Sequence, residues 1–448
     1  MNPLSLSEVA DLVGGTLQGD GSGLVTAVEV DSRKAADGVL FAAFDGEHVD
    51  GHDYVAGALD AGAAGSLVSR PVDGPSILVD DVLEGLSALA RHQIESARPA
   101  VIGITGSQGK TSVKDLLAHI LSGVGPTVAP VGSFNNELGV PLTVLRSDAD
   151  TRFLVIEMGA RGIGHIAHLC GIAPPSIGVV LNVGTAHVGE FGSPDAIAAA
   201  KGELVEALGP DGTAILNADD PRVAAMSART AAPVITFGER GDLRVAQLRL
   251  DERGEPRFML SYDDETMAAH VPQVGRHVAF NAAAATAAAL AAGVDLDVAV
   301  ERLASAGPSS PMRMERHVRA DGVTIVNDAY NANPESMTAA LEAVAELPAG
   351  RRVAVLGEML ELGEMSATAH HDVGRLAAVL GFDRVIAVGP GAALIADGAG
   401  DVGQAVPDVD VAVSTLSAWL TGSDVVLVKA SRGCRLERVV AALLADAG

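Results

Sequence analysis

Short, fully apolar runs alternate with helical patterns through the central and last parts of the chain. In PAVIGITGSQGKTSVKDLLAHIL, an apolar run changes after a glycine loop into a pattern with period 3.6. The other apolar runs are RFLVIEMG, SIGVVLNVG, VTIVND, RRVAVLG, RVIAVG and DVVLVKA. This alternation predicts an α/β protein built on parallel sheets that are covered on both faces.

The pattern divides the chain into three predicted domains. Residues 1–98 combine short strands with turn residues and predict a small mixed α/β N-terminal domain. Residues 99–308 predict a central parallel-sheet domain that ends near the loop AGPSSPMRM, and residues 309–448 predict a C-terminal Rossmann-like domain. A chain of 448 residues is too long for one compact core.

Composition narrows the class of protein. Hydrophobic residues make up 48% and charged residues 20%, which is typical of a globular chain, and the 3% of aromatic residues leaves the cores to Ala, Val, Leu and Ile. The formal charge of -26 argues against nucleic-acid binding. An anionic substrate would therefore need a local positive pocket.

The chain shows no sign of export or membrane insertion. Cys170 and Cys434 are too few for a disulfide framework and fit a reduced compartment. No signal peptide is visible, and no apolar segment approaches the ~20 residues that span a bilayer. We expect a cytoplasmic, monomeric protein without membrane insertion.

The loop in VIGITGSQGKTS has the features of a phosphate-binding loop. We predict a strand to Thr105, a helix after Thr111, and between them the pattern G-x-x-G-K-T. Glycines let backbone N–H groups approach phosphate oxygens, and a helix N-terminus favours negative charge. The generic pattern has another glycine where Ile104 stands, so a structural glycine turn remains an alternative.

Two further strands end in groups that can hold a metal ion. Glu157 closes RFLVIEMG, and His187 follows the strand in GVVLNVGTAHVGEFG. The carboxyl ends of neighbouring parallel strands lie at one sheet edge, so both groups could meet the loop's phosphates. The alternatives are a helix cap for Glu157 and a hydrogen-bonded loop residue for His187.

Lys201 lies within AIAAAKGELVEAL and is one of only five lysines. The simplest interpretation is a solvated side chain on a helix surface. An ammonium group beside Mg²⁺ would be repelled, but a neutral amine can add CO₂ and become a carbamate, an anionic oxygen ligand. The sequence alone leaves both interpretations open.

The motifs together resemble those of the Mur ligases of peptidoglycan synthesis, in the family's order and over nearly the whole chain. They are TGSQGKTS, the strand-end Glu157, GTAHVGEFG, AKGE, GRHVAFNAAAA and NDAYNANPESM. The resemblance is closest to members that add D-alanyl-D-alanine to UDP-N-acetylmuramoyl-tripeptide, through DSRKAADGVLFAAFDGEHVDGHDYV, SFNNELGVPLT and YNANPESM. It implies an ATP-dependent amide ligase that works through an acyl phosphate in cell-wall precursor synthesis, with a part in cell shape and division.

The resemblance also assigns the nucleotide and metal sites. It makes the central domain a P-loop-type ATPase domain in which ATP is bound by Gly106, Ser107, Gln108, Gly109, Lys110, Thr111 and Ser112. Two magnesium ions are implied, held by Glu157, His187 and a carbamylated Lys201, with Thr111 on the phosphate-bound ion. The implied catalytic residues are Lys110, Glu157, His187, Lys201 and Arg313.

Three further nucleotide contacts follow from the resemblance. Asn281 in GRHVAFN matches an adenine contact, although Val278 stands where the family often has a second asparagine. Arg313 in SPMRM matches an arginine that reaches the outer phosphate, and Asp328 matches a ribose-binding aspartate. As alternatives, Arg313 could pair with an acid at a domain boundary, and Asp328 could cap the following helix.

Substrate residues are implied in all three domains. They are Ser32, Arg33, Asp50, Gly51 and His52 for the UDP group, Asn135 and Asn136 for the muramoyl part, and Asn331 and Asn333, with Pro334, for the dipeptide. The DGH segment at 50–52 could instead be only a turn.

The sequence leaves three other functions open. One is a sister ligase with a different amine donor, including folylpolyglutamate synthase, against which the DSR and DGH segments argue. Another is a binding protein that uses ATP as a conformational switch. A kinase would also fit the phosphate loop, but it would leave His187 and Lys201 without a role.

Overall fold

The computed structural model describes residues 1–46, 49–184 and 188–445. These residues form three α/β units, each around its own main sheet. The predicted α/β class is therefore confirmed. Within the described ranges, no helix is both long and apolar enough to cross a bilayer.

The first unit is a mixed sheet with helices packed on it. Its elements are β1 (Leu4–Ser5), α1 (Leu6–Val13), β2 (Thr16–Gln18), β3 (Leu24–Val25), β4 (Ala27–Glu29), β5 (Val39–Ala42), α2 (Val55–Asp60), β6 (Gly65–Val68), β7 (Ser76–Leu78) and α3 (Val82–Ala97), with 3-10 turns at Ser32–Lys34 and Gly51–Tyr54. The sheet order is β2-β7-β6-β5-β4, with β2 antiparallel, and β1 pairs with β3 separately. Helix α1 starts in a capping box between Ser5 and Glu8, which satisfies free N–H groups at the helix start.

The central unit is a nine-stranded sheet. Its elements are β8 (Ala100–Thr105), α4 (Lys110–Ser122), β9 (Thr127–Val128), α5 (Gly139–Val144), β10 (Phe153–Glu157), α6 (His165–Ile172), β11 (Ile177–Val180), α7 (Val188–Phe191), α8 (Pro194–Glu206), β12 (Thr213–Asn217), α9 (Pro221–Ala224), β13 (Val234–Gly238), β14 (Leu243–Leu250), β15 (Pro256–Tyr262), β16 (Glu265–His270), α10 (His277–Ala291) and α11 (Leu296–Leu303), with a 3-10 turn at Ala225–Arg229. The order is β16-β15-β14-β13-β12-β11-β8-β10-β9. Pairing is parallel from β9 to β14 and antiparallel from β14 to β16.

The last unit is a six-stranded sheet with the order β17-β18-β22-β19-β20-β21, parallel except for β17. Its elements are β17 (Glu315–Val318), β18 (Thr324–Asp328), α12 (Pro334–Ala345), β19 (Arg352–Leu356), α13 (Ser366–Val379), β20 (Arg384–Val388), α14 (Ala393–Ala399), β21 (Gly403–Val406), α15 (Val409–Ser417), β22 (Val425–Lys429) and α16 (Glu437–Ala445), with 3-10 turns at Gly363–Met365, Pro390–Ala392, Gly400–Val402 and Arg432–Cys434. Its central strands are buried Val, Ile, Leu and Ala, as parallel strands covered on both faces require.

Most apolar runs are strands where the sequence predicts them, and two details differ. Helix α4 begins at Lys110 rather than after Thr111, so Lys110 and Thr111 lie in its first turn. The antiparallel extension β14–β16 was not predicted. Its strands alternate buried and exposed residues instead of forming continuous apolar runs, because they lie toward the edge of the sheet.

The register of the central sheet determines where its functional groups meet. Strand β8 lies between β10 and β11, with Glu157 opposite Ile104 and Val180 opposite Thr105. The three carboxyl ends therefore open at one edge, beside the loop that leads into α4. The alanine-rich helix α10 packs against α4, and its small side chains allow a close approach.

Candidate active site

The loop after β8 can accommodate only glycine at two positions. Gly109 has φ 81°, in the left-handed region, and a Cβ there would lie 2.9 Å from Asn281 Oδ1. A Cβ at Gly106 would lie 2.9 Å from Leu181 Cβ. The predicted glycine loop is thus a tight backbone turn between β11 and α10, and Asn281 faces it.

Asn182, which follows β11, braces the same loop. The Ser107 N–H donates to the Asn182 backbone oxygen at 3.1 Å, and the Gln108 N–H donates to Asn182 Oδ1 at 3.0 Å. The Ser107 hydroxyl accepts from the Gly184 N–H at 2.9 Å. Asn182 was not predicted, although a lone amide at the end of the apolar run IGVVL was a usable signal.

Lys110 and Thr111 begin helix α4, and Ser112 follows in its first turn. The Lys110 amine donates to the Gly106 oxygen at 2.7 Å, so it lies over the loop. Burial lowers the pKa of this amine, the Glu157 carboxylate opposes the shift, and the charge of Arg313 adds to it. These three groups are therefore close enough to interact electrostatically.

Glu157 is a carboxylate almost removed from solvent, with 1% of the residue exposed at the end of β10. Its Oε2 accepts from the Thr111 hydroxyl at 2.8 Å, and its Oε1 accepts from Asn135 Nδ2 at 2.7 Å. The alternative of a helix cap is wrong, because both oxygens accept from side chains and the N-cap of the following helix α6 is Gly164.

Lys201 lies in α8 with only 5% of the residue exposed, so the surface interpretation is wrong. Burial, and to a smaller extent the charge of Lys110, lowers the pKa of its amine to about 7. Among the described residues the amine has no hydrogen-bond or ion-pair partner. An unpaired buried ammonium is costly, which favours a neutral or chemically modified side chain.

The neighbouring residues of the AKGE motif have structural roles. Glu203 accepts from the N–H groups of Gly164 at 2.6 Å and Ala167 at 3.0 Å, at the start of α6. Gly202 leaves room for Arg229, which donates to the carbonyl oxygens of Ala198 and Ala199. These contacts fix the rotation of α8, and hence the direction of Lys201.

His187 lies outside the described residues, so its predicted position is untested. The chain is described again from α7, whose Gly189 packs against the last unit. A Cβ on Gly189 would lie 3.2 Å from the Glu361 carbonyl oxygen and 3.2 Å from the Gly363 nitrogen. The segment directly after His187 therefore contacts the loop that follows β19.

Arg313 lies in the segment that joins the central and last units. Its guanidinium carbon is 4.2 Å from the centroid of the Tyr330 ring, and its buried Nε has no hydrogen-bond acceptor among the described residues. Within the described part of the chain it forms no ion pair, so the predicted alternative of an acid partner finds no support.

Asp328 is the last residue of β18, and both of its carboxylate oxygens accept hydrogen bonds from other residues of the protein. Its Oδ2 accepts from the Lys429 amine at 2.5 Å, and its Oδ1 accepts from the Met314 N–H at 3.1 Å. Lys429 is directly opposite Asp328 in the register of β18 and β22. Asn333, rather than Asp328, caps α12, so the helix-cap alternative for Asp328 is wrong.

Asn331 and Asn333 border a cleft of about 240 Å³ in the last unit. Its other walls are residues 360–362 and 431–433. The Asn331 carbonyl oxygen accepts from Lys429 at 2.8 Å, and the Asn333 side chain accepts from the Ser336 N–H at 2.8 Å. Lys429, which was not predicted, therefore links the predicted ribose-binding carboxylate to the cleft.

The two predicted muramoyl-binding asparagines have different surroundings. Asn135 lies in the site itself, bonded to Glu157. Asn136 Oδ1 accepts from the Gly139 N–H at 2.9 Å, at the start of α5. The loop that carries them is stabilised by the buried side chain of Lys114, whose amine donates to the carbonyl oxygens of Pro130 and Gly132.

The predicted UDP-binding residues form two separate groups in the first unit. Arg33, next to Ser32, has a side chain that is 86% exposed and pairs with Asp31 at 2.8 Å. Asp50 and His52 bond to each other, His52 Nδ1 to Asp50 Oδ1 at 2.7 Å. His52 Nε2 accepts from the Ser69 N–H at 3.1 Å, so both ring nitrogens are used inside the protein.

Gly51 lies in the same turn and is required by space. Its N–H donates to the Phe44 oxygen at 2.7 Å, and a Cβ would lie 2.8 Å from the Phe44 nitrogen. Arg70 pairs with the second oxygen of Asp50. The DGH segment therefore has the turn structure that was its predicted alternative, and Arg70 adds a positive charge beside it.

Comparison with known proteins identifies the family. Residues 24–106 match the model of the Mur ligase family, catalytic domain, residues 104–289 the Mur ligase middle domain, and residues 312–432 the Mur ligase, glutamate ligase domain. The UDP-N-acetylmuramoyl-tripeptide–D-alanyl-D-alanine ligase of Mycobacterium tuberculosis is 44% identical, over 100% of this chain and 98% of its own.

Solved structures agree with this match. MurF from Acinetobacter baumannii superposes with a TM-score of 0.91 at 32% identity, covering 99% of both chains. MurF ligase from Thermotoga maritima in complex with ADP has a TM-score of 0.84 at 30% identity, covering 94% of this chain and 98% of its own. This chain therefore belongs to the Mur ligase family.

Proposed function

We propose that the chain is an ATP-dependent amide ligase that adds D-alanyl-D-alanine to UDP-N-acetylmuramoyl-tripeptide. The observation that carries the proposal is the buried Glu157 carboxylate bonded to Thr111 at the phosphate loop, with the buried amine of Lys201 near enough to Lys110 for the charge of Lys110 to affect it. The full-length relatives with that activity, and the ADP complex of the Thermotoga structure, support it. A kinase or an ATP-driven switch would need only the phosphate loop.

The chemistry needs two steps because a carboxylate is a poor electrophile. An oxygen of the tripeptide's terminal carboxylate attacks the γ-phosphorus of ATP, so ADP leaves and an acyl phosphate forms. The amine of D-alanyl-D-alanine then attacks the acyl carbon and loses a proton. Inorganic phosphate leaves with one of the original carboxylate oxygens, and the amide remains.

The nucleotide roles follow the geometry of the loop. The loop from Gly106 to Ser112 would hold the phosphates at the start of α4 through the N–H groups that do not donate to Asn182, and the Lys110 amine would neutralise charge on the transferred group. The negative charge of ATP would favour the ammonium form of Lys110 and so offset its burial. Asn281 would contact the adenine, Asp328 the ribose and Arg313 the outer phosphate.

The donors present suit magnesium. The Thr111 hydroxyl and the Glu157 carboxylate are oxygen donors in contact with each other, and a carbamate on Lys201 would be another, with His187 as an imidazole donor. Two ions are proposed, one of them on the phosphates at Thr111. When bound, magnesium would offset the charge that accumulates on the transferred phosphoryl group.

The carbamate on Lys201 is proposed from burial and isolation. Only a neutral amine reacts with CO₂, and an amine with a pKa of about 7 is partly neutral near neutral pH. The product is an anion, and the positive groups of the phosphate loop would attract it. An unpaired ammonium at the same buried position would be unfavourable.

Substrate contacts are proposed at the two ends of the site. The UDP group would bind near Ser32, Arg33 and residues 50–52, the muramoyl part near Asn135 and Asn136. The dipeptide would enter the cleft beside Asn331 and Asn333. The domain limits 1–98, 99–308 and 309–448, a monomeric state, a cytoplasmic location and a part in cell shape and division belong to the same proposal.

The deciding experiment follows an oxygen isotope. With ¹⁸O in the terminal carboxylate of UDP-N-acetylmuramoyl-tripeptide, we expect one labelled oxygen in each inorganic phosphate released. Label that stays wholly in the peptide product would exclude the acyl phosphate. A panel of amino acids and dipeptides in an ADP-release assay would separate this activity from that of a sister ligase, since only D-alanyl-D-alanine should support full turnover.

A further inference from the structure

The segment that presents Arg313 has an unusual backbone. Met312 and Met314, on either side of it, have φ 58° and φ 50°, in the left-handed region that side chains larger than glycine rarely adopt. Two such residues around one arginine persist only where the surrounding contacts hold them.

Those contacts come from the last unit. The Met312 N–H donates to Glu315 Oε2 at 3.2 Å, and the Met314 N–H donates to Asp328 Oδ1 at 3.1 Å. The Tyr330 N–H donates to the Met312 oxygen at 3.3 Å. The backbone of Arg313 is therefore fastened to β17, to the end of β18 and to Tyr330.

Tyr330 also holds the side chain of Arg313. The guanidinium lies over the Tyr330 ring, 4.2 Å from the centroid, and within residues 1–46, 49–184 and 188–445 its buried Nε has no acceptor. A carboxylate partner would cancel the charge of Arg313 and compete with a phosphate oxygen. An aromatic face orients the cation through its π electrons and leaves the N–H groups available.

The hydroxyl of Tyr330 reaches the central unit. It forms a hydrogen bond with the hydroxyl of Ser133, in the loop between β9 and α5. Two residues further along, Asn135 donates to Glu157 at 2.7 Å. One tyrosine thus contacts both the arginine of the last unit and the loop that orients the buried carboxylate of the central unit.

We propose that Tyr330 is a positioning residue of the ligase. Its ring aims Arg313 at the phosphate site, and its hydroxyl fastens the last unit to the loop at Ser133. The inference rests on the proposed role of Arg313 at the outer phosphate.

The test is a set of single and double variants in the full chain, assayed by ADP release with both substrates. Tyr330→Phe keeps the ring and loses the bond to Ser133, and Ser133→Ala removes the other partner. Each should lower kcat about 3- to 10-fold, as expected for one hydrogen bond. The double variant should be no slower than the worse single variant, because both changes remove the same contact.

Tyr330→Leu removes the ring as well and should lower kcat further, with little change in the KM for ATP. In an Arg313→Ala background it should add no more than the loss caused by Tyr330→Phe, since the ring then has no cation to orient and only the bond to Ser133 is left to lose. Tyr262→Phe, in β15 and away from the site, is the matched control and should retain wild-type kcat. Thermal melting of every variant verifies folding.

The outcomes separate the two proposals. Additive effects of Tyr330→Phe and Ser133→Ala, or of Tyr330→Leu and Arg313→Ala, would overturn the inference about Tyr330. Wild-type kcat in Arg313→Ala would overturn the role of Arg313 and this inference with it. The ligase activity would be unaffected by either result, because the isotope experiment tests it independently.

Discussion

The phosphate-loop site and the predicted UDP surface of the first unit differ in the burial of their polar groups. At the phosphate loop, Glu157 and Lys201 are buried, and their geometry is set by strand ends and helix packing. In the first unit, the Arg33 side chain is 86% exposed and pairs with the half-buried Asp31. His52 is buried, and both of its ring nitrogens form hydrogen bonds within the protein, so neither is free for a ligand.

This difference shows which binding groups are already held in position before the ligand binds. Buried polar groups cannot relax into water, so the fold must hold them in place, and their chemistry is pre-organised. Exposed ion pairs such as Arg33–Asp31 contribute little to stability and can exchange partners easily. Substitutions should therefore affect turnover at the phosphate loop and substrate affinity in the first unit.

The largest effect is expected at Lys201. Lys201→Ala should lower kcat on the order of 10²–10³-fold, as the loss of one pre-organised electrostatic group does in other sites. Lys201→Arg keeps the positive charge but cannot form a carbamate, and it should be as inactive. Short carboxylic acids should partly restore Lys201→Ala and leave Lys201→Arg unchanged, which ADP-release rates would show. Wild-type activity of either variant without bicarbonate dependence would show that Lys201 is only a core residue.

A second test compares two buried glutamates of the central unit. Glu157→Gln should lower kcat about 100-fold with little loss of thermal stability, because an amide oxygen can still accept from Asn135. Glu203→Gln should lower the melting temperature and leave kcat nearly unchanged. The reason is that Glu203 accepts from the N–H groups of Gly164 and Ala167, and an amide NH₂ cannot accept from either. Equal losses of melting temperature in the two variants would remove the distinction between a reactive carboxylate and a structural one.

The first unit should respond differently. Arg33→Ala should raise the KM for UDP-N-acetylmuramoyl-tripeptide about 10-fold, the value of one charge-assisted phosphate contact, and leave kcat unchanged. Lys34→Ala, next to it and also exposed, is the matched control and should change neither constant. A lower kcat in Arg33→Ala, or an unchanged KM, would show that this exposed arginine does not bind the UDP group.

The sequence predicts groups that lie at the ends of neighbouring strands, and it misses groups that meet only through tertiary packing. Thr111 and Glu157 were predictable because a strand, a glycine loop and a second strand end fix their edge of the sheet. Lys429 is 101 positions from Asp328, and only the pairing of β18 with β22 brings them together. The scarcity of lysine was a signal, since three of the five lysines, Lys114, Lys201 and Lys429, are buried.

Tyr330 and Ser133 could not have been paired from the sequence. Their contact joins two units, and the relative placement of units is not encoded in local periodicity. The antiparallel extension β14–β16 was missed for a different reason: its amphipathic strands carry charged residues on one side and lack the apolar runs of the parallel strands. The predicted role of His187 depends on residues that lie outside the described ranges.

The smallest effect on activity is expected at His52, for which the sequence and the structure indicate different roles. The sequence makes His52 a UDP contact, whereas the structure uses Nδ1 on Asp50 and Nε2 on the Ser69 N–H. His52→Ala should therefore cost about 1–3 kcal/mol of stability, because Asp50 and the Ser69 N–H lose a buried partner. The KM for the UDP substrate should change less than about twofold, and far less than in Arg33→Ala.

Thermal melting and steady-state kinetics on the same preparation give both quantities for His52→Ala. Ser69→Ala is the matched control: it removes only the hydroxyl that lies 3.3 Å from Nε2 and keeps the backbone N–H, so it should retain most of the stability. A large rise in KM with an unchanged melting temperature would mean that His52 contacts the substrate directly. In that case its bonds to Asp50 and Ser69 would serve to orient a binding group, and the first unit would be as pre-organised as the phosphate loop.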